Sequence, residues 1–182
     1  MTATDSKNPL VNDLLGEYKR YRQLAEKAIA QMPDDALNVV PGTDCNSVAM
    51  IVAHMSGNLS SRFTNFLTED GEKPWRERDE EFASRSCTRE QMLQMWTDAW
   101  SVLEREVTAL TDADLARVVT IRQQPLTAHA ALCRSISHVA YHVGQIVLLA
   151  RMYADAPWES LSIPKGQSAA YNKNPTREKT PS

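Results

Sequence analysis

Two histidines stand four residues apart in the longest helical segment that the sequence predicts. They are His138 and His142, within residues 137–146. Side chains at this spacing lie on the same face of an α-helix, about 5–6 Å apart at Cβ, so both rings could bind one metal ion. The pair is a short pattern, however, and is also compatible with two half-buried rings that hydrogen-bond to carbonyl groups or water.

The sequence contains two other histidines that could complete such a site. His129 precedes His138 by nine residues, half a helical turn out of phase, so we expect it to face away. His54 lies beside the apolar stripe of another predicted helix, and helix bundles do combine one ligand from one helix with an i, i+4 pair from another. Three neutral imidazoles suit zinc, nickel, copper or iron and leave coordination positions open. A histidine in this position, taken alone, is more often a surface residue or a hydrogen-bonded residue at the boundary of the core.

Three polar residues return close to the histidine faces of the same helices. Asn58 and Arg62 follow His54 at four-residue steps, and Gln145 follows His142 by three residues. Side chains in these positions could orient the metal ligands or contact a substrate. The sequence has no glycine-rich phosphate loop and no Gly-x-Ser-x-Gly motif, and no residue stands out as a general base. The catalytic residues therefore stay unidentified at this stage.

The elements that must position these residues are four amphipathic helices, recognised by apolar residues at three- and four-residue spacing. The pattern predicts an all-α protein built as a four-helix bundle. Residues 118–121 are β-branched and could be briefly extended. The first predicted helix begins at Pro9 after an Asn8 cap and ends at Pro33, and the second begins near an Asn46 cap and ends at about Leu67. The third begins with a capping box of Thr88 and Gln91 and ends at Leu110, and the fourth runs from about Thr127 to Tyr153.

Residues 69–87 form a long crossover between the second and third predicted helices. Connections of this length are uncommon in compact domains and are often functional. One interpretation is a solvated loop that Trp75 and Phe82 pin to the bundle. The other is a lid or rim over the site that supplies Arg76 or Arg78 to an anionic substrate.

Composition limits the classes of function. The chain has 182 residues and a net charge of −3, without the basic patch that nucleic-acid binding requires. Its beginning lacks the apolar core of a signal peptide, and no uncharged run is long enough to span a bilayer. Three widely separated cysteines indicate reduced thiols. We expect a cytoplasmic protein with one helical domain over residues 1–160 and an irregular tail over residues 161–182.

The combined pattern resembles the DinB-like (DinB/YfiT) superfamily of metalloenzymes. The features that carry the resemblance are a histidine early in the second helix, the long crossover, and His-x-x-x-His followed by Gly-Gln-Ile in the fourth helix. Residues 54–59 (His-Met-Ser-Gly-Asn-Leu), 70–76 (Asp-Gly-Glu-Lys-Pro-Trp-Arg) and 162–168 (Ser-Ile-Pro-Lys-Gly-Gln-Ser) are similar to a bacterial subfamily without an assigned function. The resemblance covers nearly the whole chain.

This resemblance implies a bundle in the order up-down-down-up, with the long crossover joining helices 2 and 3. It implies a divalent metal, zinc or nickel among others, held by three histidines, which by position are His54, His138 and His142. Members with known activity include transferases and isomerases that use bacillithiol, mycothiol or glutathione. Many members are dimers, so we expect a homodimer.

Three hypotheses about function follow. The first is a metal-dependent transferase that moves a low-molecular-weight thiol onto an electrophile, with the metal lowering the pKa of the thiol. The second is a hydrolase that uses metal-bound water at the same site. The third is a non-catalytic metal-binding or dimerising stress-response protein. All three hypotheses predict that the chain binds a small molecule or another protein chain, and that it binds neither nucleic acid nor a membrane.

Overall fold

The computed structural model describes residues 8–83 and 86–176 of the chain. The predictions for residues 1–7, 84–85 and 177–182 lie outside the described residues. The structure is mostly helical, as predicted, with one small antiparallel hairpin. The elements are α1 (Pro9–Ile29), α2 (Val48–Phe63), α3 (Arg89–Thr108), β1 (Val118–Ile121), β2 (Gln124–Thr127), α4 (Ala128–Tyr153) and the one-turn α5 (Ser168–Tyr171), with short 3₁₀ helices at Asp34–Ala36, Asp79–Phe82 and Asp112–Ala116.

The start of α1 is capped from a distant part of the chain. Pro9 occupies the first turn as predicted, but the Asn8 side chain makes no hydrogen bond to its own helix. Instead the carboxylate of Asp112 accepts hydrogen bonds from the backbone N–H groups of Leu10 and Val11, and Asn8 Oδ1 accepts one from Asp112 N–H. The two segments therefore exchange caps, which satisfies orphan donors at the helix start.

Helix α2 begins and ends inside its predicted limits. The cap is Ser47, whose hydroxyl accepts a hydrogen bond from Met50 N–H, and not the predicted Asn46. The helix ends at Phe63 because the chain turns at Asn65, which adopts a positive φ of 53°. The prediction that the helix continues to Leu67 was wrong, because apolar periodicity persists through this turn.

The hairpin β1–β2 fixes the first part of the crossover in place. Residues 118–121 are extended as predicted, but their pairing with Gln124–Thr127 was not foreseen. At the hairpin tip, Arg122 and Gln123 both adopt positive φ, an unfavourable conformation for side chains of this kind. The Asp70 carboxylate accepts hydrogen bonds from both of their N–H groups at 2.8 and 2.7 Å, which stabilises the turn.

Helices α3 and α4 follow their sequence signals closely. The capping box of Thr88 and Gln91 opens α3, and the Thr127 hydroxyl caps α4. Helix α2 packs against α3, α1 packs against α4, and α2 also contacts α4. These contacts enclose one apolar core that includes Tyr18, Trp96 and Trp100. The up-down-down-up order of a four-helix bundle stays a prediction.

Between the end of α4 and residue 176 the chain is largely irregular, as predicted, apart from α5. Trp158 and Leu161 pack against the core, and Glu159 N–H donates to Gln31 of α1 at 2.8 Å. The predicted domain boundary between residues 160 and 161 therefore falls within a segment that contacts the helices, and this division stays a prediction. Within the described part of the chain, every helix is too short or too polar to cross a membrane.

Candidate metal centre

Three of the four histidines come together between α2 and α4. His54, His138 and His142 each contribute a ring nitrogen that lies within 4.8 Å of the other two. The Nε2 atoms of His54 and His138 are 3.1 Å apart. Two nitrogens that bind one tetrahedral zinc ion at 2.0–2.1 Å would be about 3.3 Å apart, so this spacing fits a shared metal ion. His129, by contrast, is exposed and contacts Cys133, so it does not join the cluster.

The histidine cluster lines a cavity of about 480 Å³. His54 and His142 are buried, and His138 is half-buried. The wall also includes the three polar residues that the sequence placed near the site, Asn58, Arg62 and Gln145. The cavity is thus bounded by α2 and α4 on two sides, and by the crossover and the hairpin on the others.

The crossover supplies a carboxylate that holds the first histidine. Glu81, in the 3₁₀ helix Asp79–Phe82, accepts a hydrogen bond from Nδ1 of His54 at 2.9 Å. Arg76 donates two hydrogen bonds to the same carboxylate, from Nε at 2.7 Å and from Nη2 at 2.8 Å. Burial by itself would raise the pKa of Glu81, but the hydrogen bonds from Arg76 and His54 outweigh it, and the pKa lies below its ordinary value. Glu81 is therefore ionised at neutral pH.

Gly57 leaves the space that this carboxylate occupies. A Cβ atom at position 57 would collide with Oε1 and Cδ of Glu81. Any larger residue on this turn of α2 would displace Glu81 from His54. The glycine is therefore needed for close approach of the crossover and not for an unusual backbone conformation.

Hydrogen bonds to Nδ1 orient two of the three rings. An ionised carboxylate only accepts, so Nδ1 of His54 carries the proton and the Nε2 lone pair faces the cluster. Gln145 Oε1 accepts from Nδ1 of His142 at 2.9 Å and leaves its Nε2 unprotonated in the same way. Metal-binding histidines in proteins are usually held by such a partner on the second nitrogen.

Two of the three rings are held in the neutral form near pH 7. Burial, together with the neighbouring His142, His54, Arg76 and Arg62, lowers the pKa of His138 to about 4. Burial also lowers the pKa of His142, against the opposing effect of the Gln145 hydrogen bond. Neutral imidazole is the form that binds metal, so the donor set fits a divalent transition metal.

Arg62 and Asn58 have different surroundings. The Arg62 guanidinium donates to the Gly71 carbonyl oxygen and to Glu72 at 3.1 Å, so it anchors the crossover as well as lining the cavity. The Asn58 side chain has no hydrogen-bond partner among residues 8–83 and 86–176. Asn58 is therefore the more available of the two for a bound molecule.

The crossover forms a fixed wall, and the expectation that two aromatic residues pin it is half right. Phe82 stacks on His54 with ring centroids 4.5 Å apart, whereas Trp75 is 55% exposed. Of the two arginines proposed for a rim, Arg76 is committed to Glu81, and Arg78 is exposed at the cavity.

Sequence reasoning missed Glu81, Phe82 and Arg134 as residues of the site. Glu81 and Phe82 reach it only through the path of the crossover, which no spacing reveals. Arg134 could have been found, because it precedes His138 by four residues and so shares its helix face.

Comparisons with known proteins agree with a shared fold. The sequence profile of the family described as "Protein of unknown function (DUF1572)" matches residues 5–167. The structure resembles the solved structure described as "Crystal structure of the conserved protein of locus from Enterococcus faecalis", with a TM-score of 0.62 and 18% sequence identity over 80% of this chain and 95% of that chain. No curated protein matches the sequence.

Proposed function

The chain belongs to the DUF1572 family, and we propose that it is a divalent-metal-dependent enzyme whose metal ligands are His54, His138 and His142. The observation that carries the proposal is the convergence of three imidazole nitrogens within 4.8 Å at the wall of a cavity. Three histidine ligands leave at least one coordination position for a substrate, as in catalytic sites. Zinc or nickel is the expected ion, because imidazole ligands suit both.

We also propose that the family falls within the DinB-like superfamily and shares its four-helix bundle. Support comes from the contacts of α1 with α4 and of α2 with α3, and from the positions of the three histidines on α2 and α4. The proposal includes a homodimer that acts on a small molecule in the cytoplasm. Asn58, Arg62 and Gln145 would contact the substrate or orient the ligands.

The reaction that we propose is transfer of a low-molecular-weight thiol onto an electrophile. A divalent ion at this site would lower the pKa of a thiol that binds it. Glu81 and Gln145 would hold the rings of His54 and His142, and Phe82 would shield His54 from water. Within residues 8–83 and 86–176, no aspartate or glutamate lines the cavity wall, which favours a reaction that needs no general base from the protein over hydrolysis.

Metal content is the first measurement. Protein purified without a histidine tag should contain near one zinc or nickel ion per chain by elemental analysis. The His138→Ala/His142→Ala variant should lose it, and His129→Ala, an exposed histidine of the same helix, should keep it. Absence of metal even after reconstitution, or equal metal in all three proteins, would contradict the proposal.

Activity is the second measurement. The metal-loaded protein should consume an electrophile such as a halogenated aromatic compound only when a thiol is present, and His142→Ala should be inactive. Turnover of esters or amides without a thiol would favour the hydrolase instead. Full activity of His142→Ala would show that the site is not the catalytic centre.

A further inference from the structure

Among the residues that the structure describes, five arginines line the cavity beside the histidines. They come from α2, the crossover, the hairpin tip and α4, and they are Arg62, Arg76, Arg78, Arg122 and Arg134. No acidic residue from the described ranges lines the wall with them, although the chain as a whole carries a net charge of −3. The cavity wall is therefore positively charged on a chain whose net charge is negative.

The carboxylates behind the wall neutralise only part of this charge. Glu81 forms a two-bond ion pair with Arg76, and both side chains are almost fully buried. Glu72 is shared by Arg62 and Arg122, at 3.1 and 3.0 Å. Two guanidinium groups thus share one carboxylate, and a second carboxylate, Asp70, accepts a hydrogen bond from the backbone N–H of Arg122, so these arginines are largely compensated.

Arg134 and Arg78 add two further charges at the mouth. Arg134 is exposed and has no ion pair or hydrogen bond within the described ranges. The one carboxylate of the described residues that lies within 4.0 Å of the Arg78 guanidinium is that of Asp79, at 3.9 Å, and it is fully exposed, so the pairing contributes little.

Both of these arginines lie close to the histidine cluster. Arg134 stands one helical turn before His138 on the same face of α4. The Arg78 guanidinium lies over the Phe82 ring at 5.2 Å, and that ring stacks on His54. An anion bound by the two arginines would therefore lie beside the candidate metal ligands.

We propose that the substrate of this cavity carries at least one oxyanion group, a carboxylate or a phosphate, which Arg134 and Arg78 bind. Guanidinium groups bind planar carboxylates and phosphates with paired hydrogen bonds, more specifically than a point charge does. Burial and the neighbouring Arg76 and Arg122 lower the pKa of Arg62, as expected where cations crowd together. The inference rests on the proposed function in one respect, that the cavity is where the substrate binds.

The test is titration with small anions at low ionic strength. Succinate and inorganic phosphate serve as probes, and succinamide, which is uncharged, is the control ligand, with binding followed by calorimetry. Either anion should bind, and succinamide should not. Binding of succinate alone assigns a carboxylate, and binding of phosphate alone assigns a phosphate. No binding of either, or equal binding of succinamide, would overturn the proposal.

Variants then assign the binding to the arginines. Arg134→Gln and Arg78→Gln should each weaken anion binding about tenfold, the typical effect of one charge-assisted hydrogen bond. Arg151→Gln is the matched control, because Arg151 is an exposed arginine of α4 outside the cavity. Equal affinity in the Arg134→Gln, Arg78→Gln and Arg151→Gln variants would refute the assignment.

The histidine variant separates this inference from the proposed function. In His138→Ala/His142→Ala, anion binding should persist and should still fall on adding Arg134→Gln, whether or not the unsubstituted protein contains metal. If anion binding disappears with the histidines and is insensitive to the arginines, the anion binds the metal itself and the inference fails. Metal content of near one ion per chain would in that case still support the proposed function.

Discussion

The interior contains two clusters of rings that are held by different forces. One is aromatic, with neighbouring ring centroids 5.3–6.3 Å apart, and consists of Tyr18, Phe63, Trp96 and Trp100. The other is the histidine cluster, with centroids 4.6–5.2 Å apart. The aromatic rings are at most 1% exposed, and Phe63 is the one of these four that lines the cavity, onto which all three histidines open.

The difference shows where stability and chemistry reside. Tyr18 meets Phe63 and Trp100 edge to face, an arrangement that stabilises through packing and burial. His54 and His142 instead donate directed hydrogen bonds to Glu81 and Gln145, which leaves their other ring nitrogens available. We therefore expect changes in the first cluster to lower the free energy of unfolding, and changes in the second to alter metal and proton binding.

The largest effect is expected from Phe63→Ala. Phe63 is 1% exposed and contacts Tyr18 and Phe66, so its removal should lower the free energy of unfolding by about 3–5 kcal/mol. Urea denaturation of the metal-free protein measures this. The protein that remains folded should still bind metal through its histidines. A loss below about 1 kcal/mol, similar to that of Leu10→Ala at an exposed site, would contradict the packing of α2.

Arg76→Met changes the surroundings of the histidine cluster and should also lower the free energy of unfolding, because it removes the main partner of a buried carboxylate. The Arg76 and Glu81 side chains are 2% and 9% exposed, and breaking such a pair leaves an uncompensated charge. We expect the free energy of unfolding to fall by about 3 kcal/mol at pH 7, and by less at acidic pH, where a Glu81 without its arginine partner takes up a proton.

Arg78→Met is the matched control for this change. Arg78 belongs to the same crossover but is half exposed, so its substitution should leave the free energy of unfolding almost unchanged. If both variants unfold at the same urea concentration as the unsubstituted protein, Glu81 is not held as the structure shows.

The two clusters also differ in how far the sequence predicts them. Phe63 and Val143 belong to apolar stripes with helical spacing, and both are buried, because a helical stripe must face the core. The i, i+4 spacing placed His138 and His142 together for the same reason of helix geometry. Both predictions depend only on residues within one helix.

Glu81 illustrates what the sequence leaves open. It reaches His54 because the crossover is anchored at Asp70 to the hairpin tip and then turns back as a short 3₁₀ helix. That path depends on hydrogen bonds between segments about 50 residues apart, which have no period along the chain. The exchange of caps between Asn8 and Asp112 cannot be predicted from the sequence for the same reason.

The pH dependence of stability should report in part on the histidine cluster. The pKa of His138 falls from an ordinary 6.5 to about 4, so between these values the unfolded chain binds a proton that the folded protein does not. The contribution of His138 to the free energy of unfolding should therefore be fully present above pH 6.5 and should decrease as the pH falls to about 4. For a half-buried ring the loss is about 2 kcal/mol.

Thermal unfolding of the metal-free protein between pH 7 and pH 4 measures this decline. A His138→Gln variant should show a shallower decline, and His129→Gln, whose ring is exposed, should match the unsubstituted protein. If the unsubstituted protein and both variants show the same decline, the folded structure does not lower the pKa of His138.

The smallest effect, and the most specific, is expected from Gln145→Leu. Leucine removes the acceptor that holds Nδ1–H of His142 while keeping an apolar volume beside the ring. Loss of such a partner typically weakens metal binding 10- to 100-fold, and we expect about tenfold because a neutral amide is a weaker acceptor than a carboxylate. The free energy of unfolding of the metal-free protein should hardly change, since Gln145 is only half-buried. Competition with a chromophoric chelator measures the affinity, with Gln23→Leu, an exposed site on α1, as control. If the variant loses stability but keeps its metal affinity, Gln145 contributes to packing and not to metal binding. The contrast between a cluster that gives stability and one that binds metal would then not apply to the residues around them.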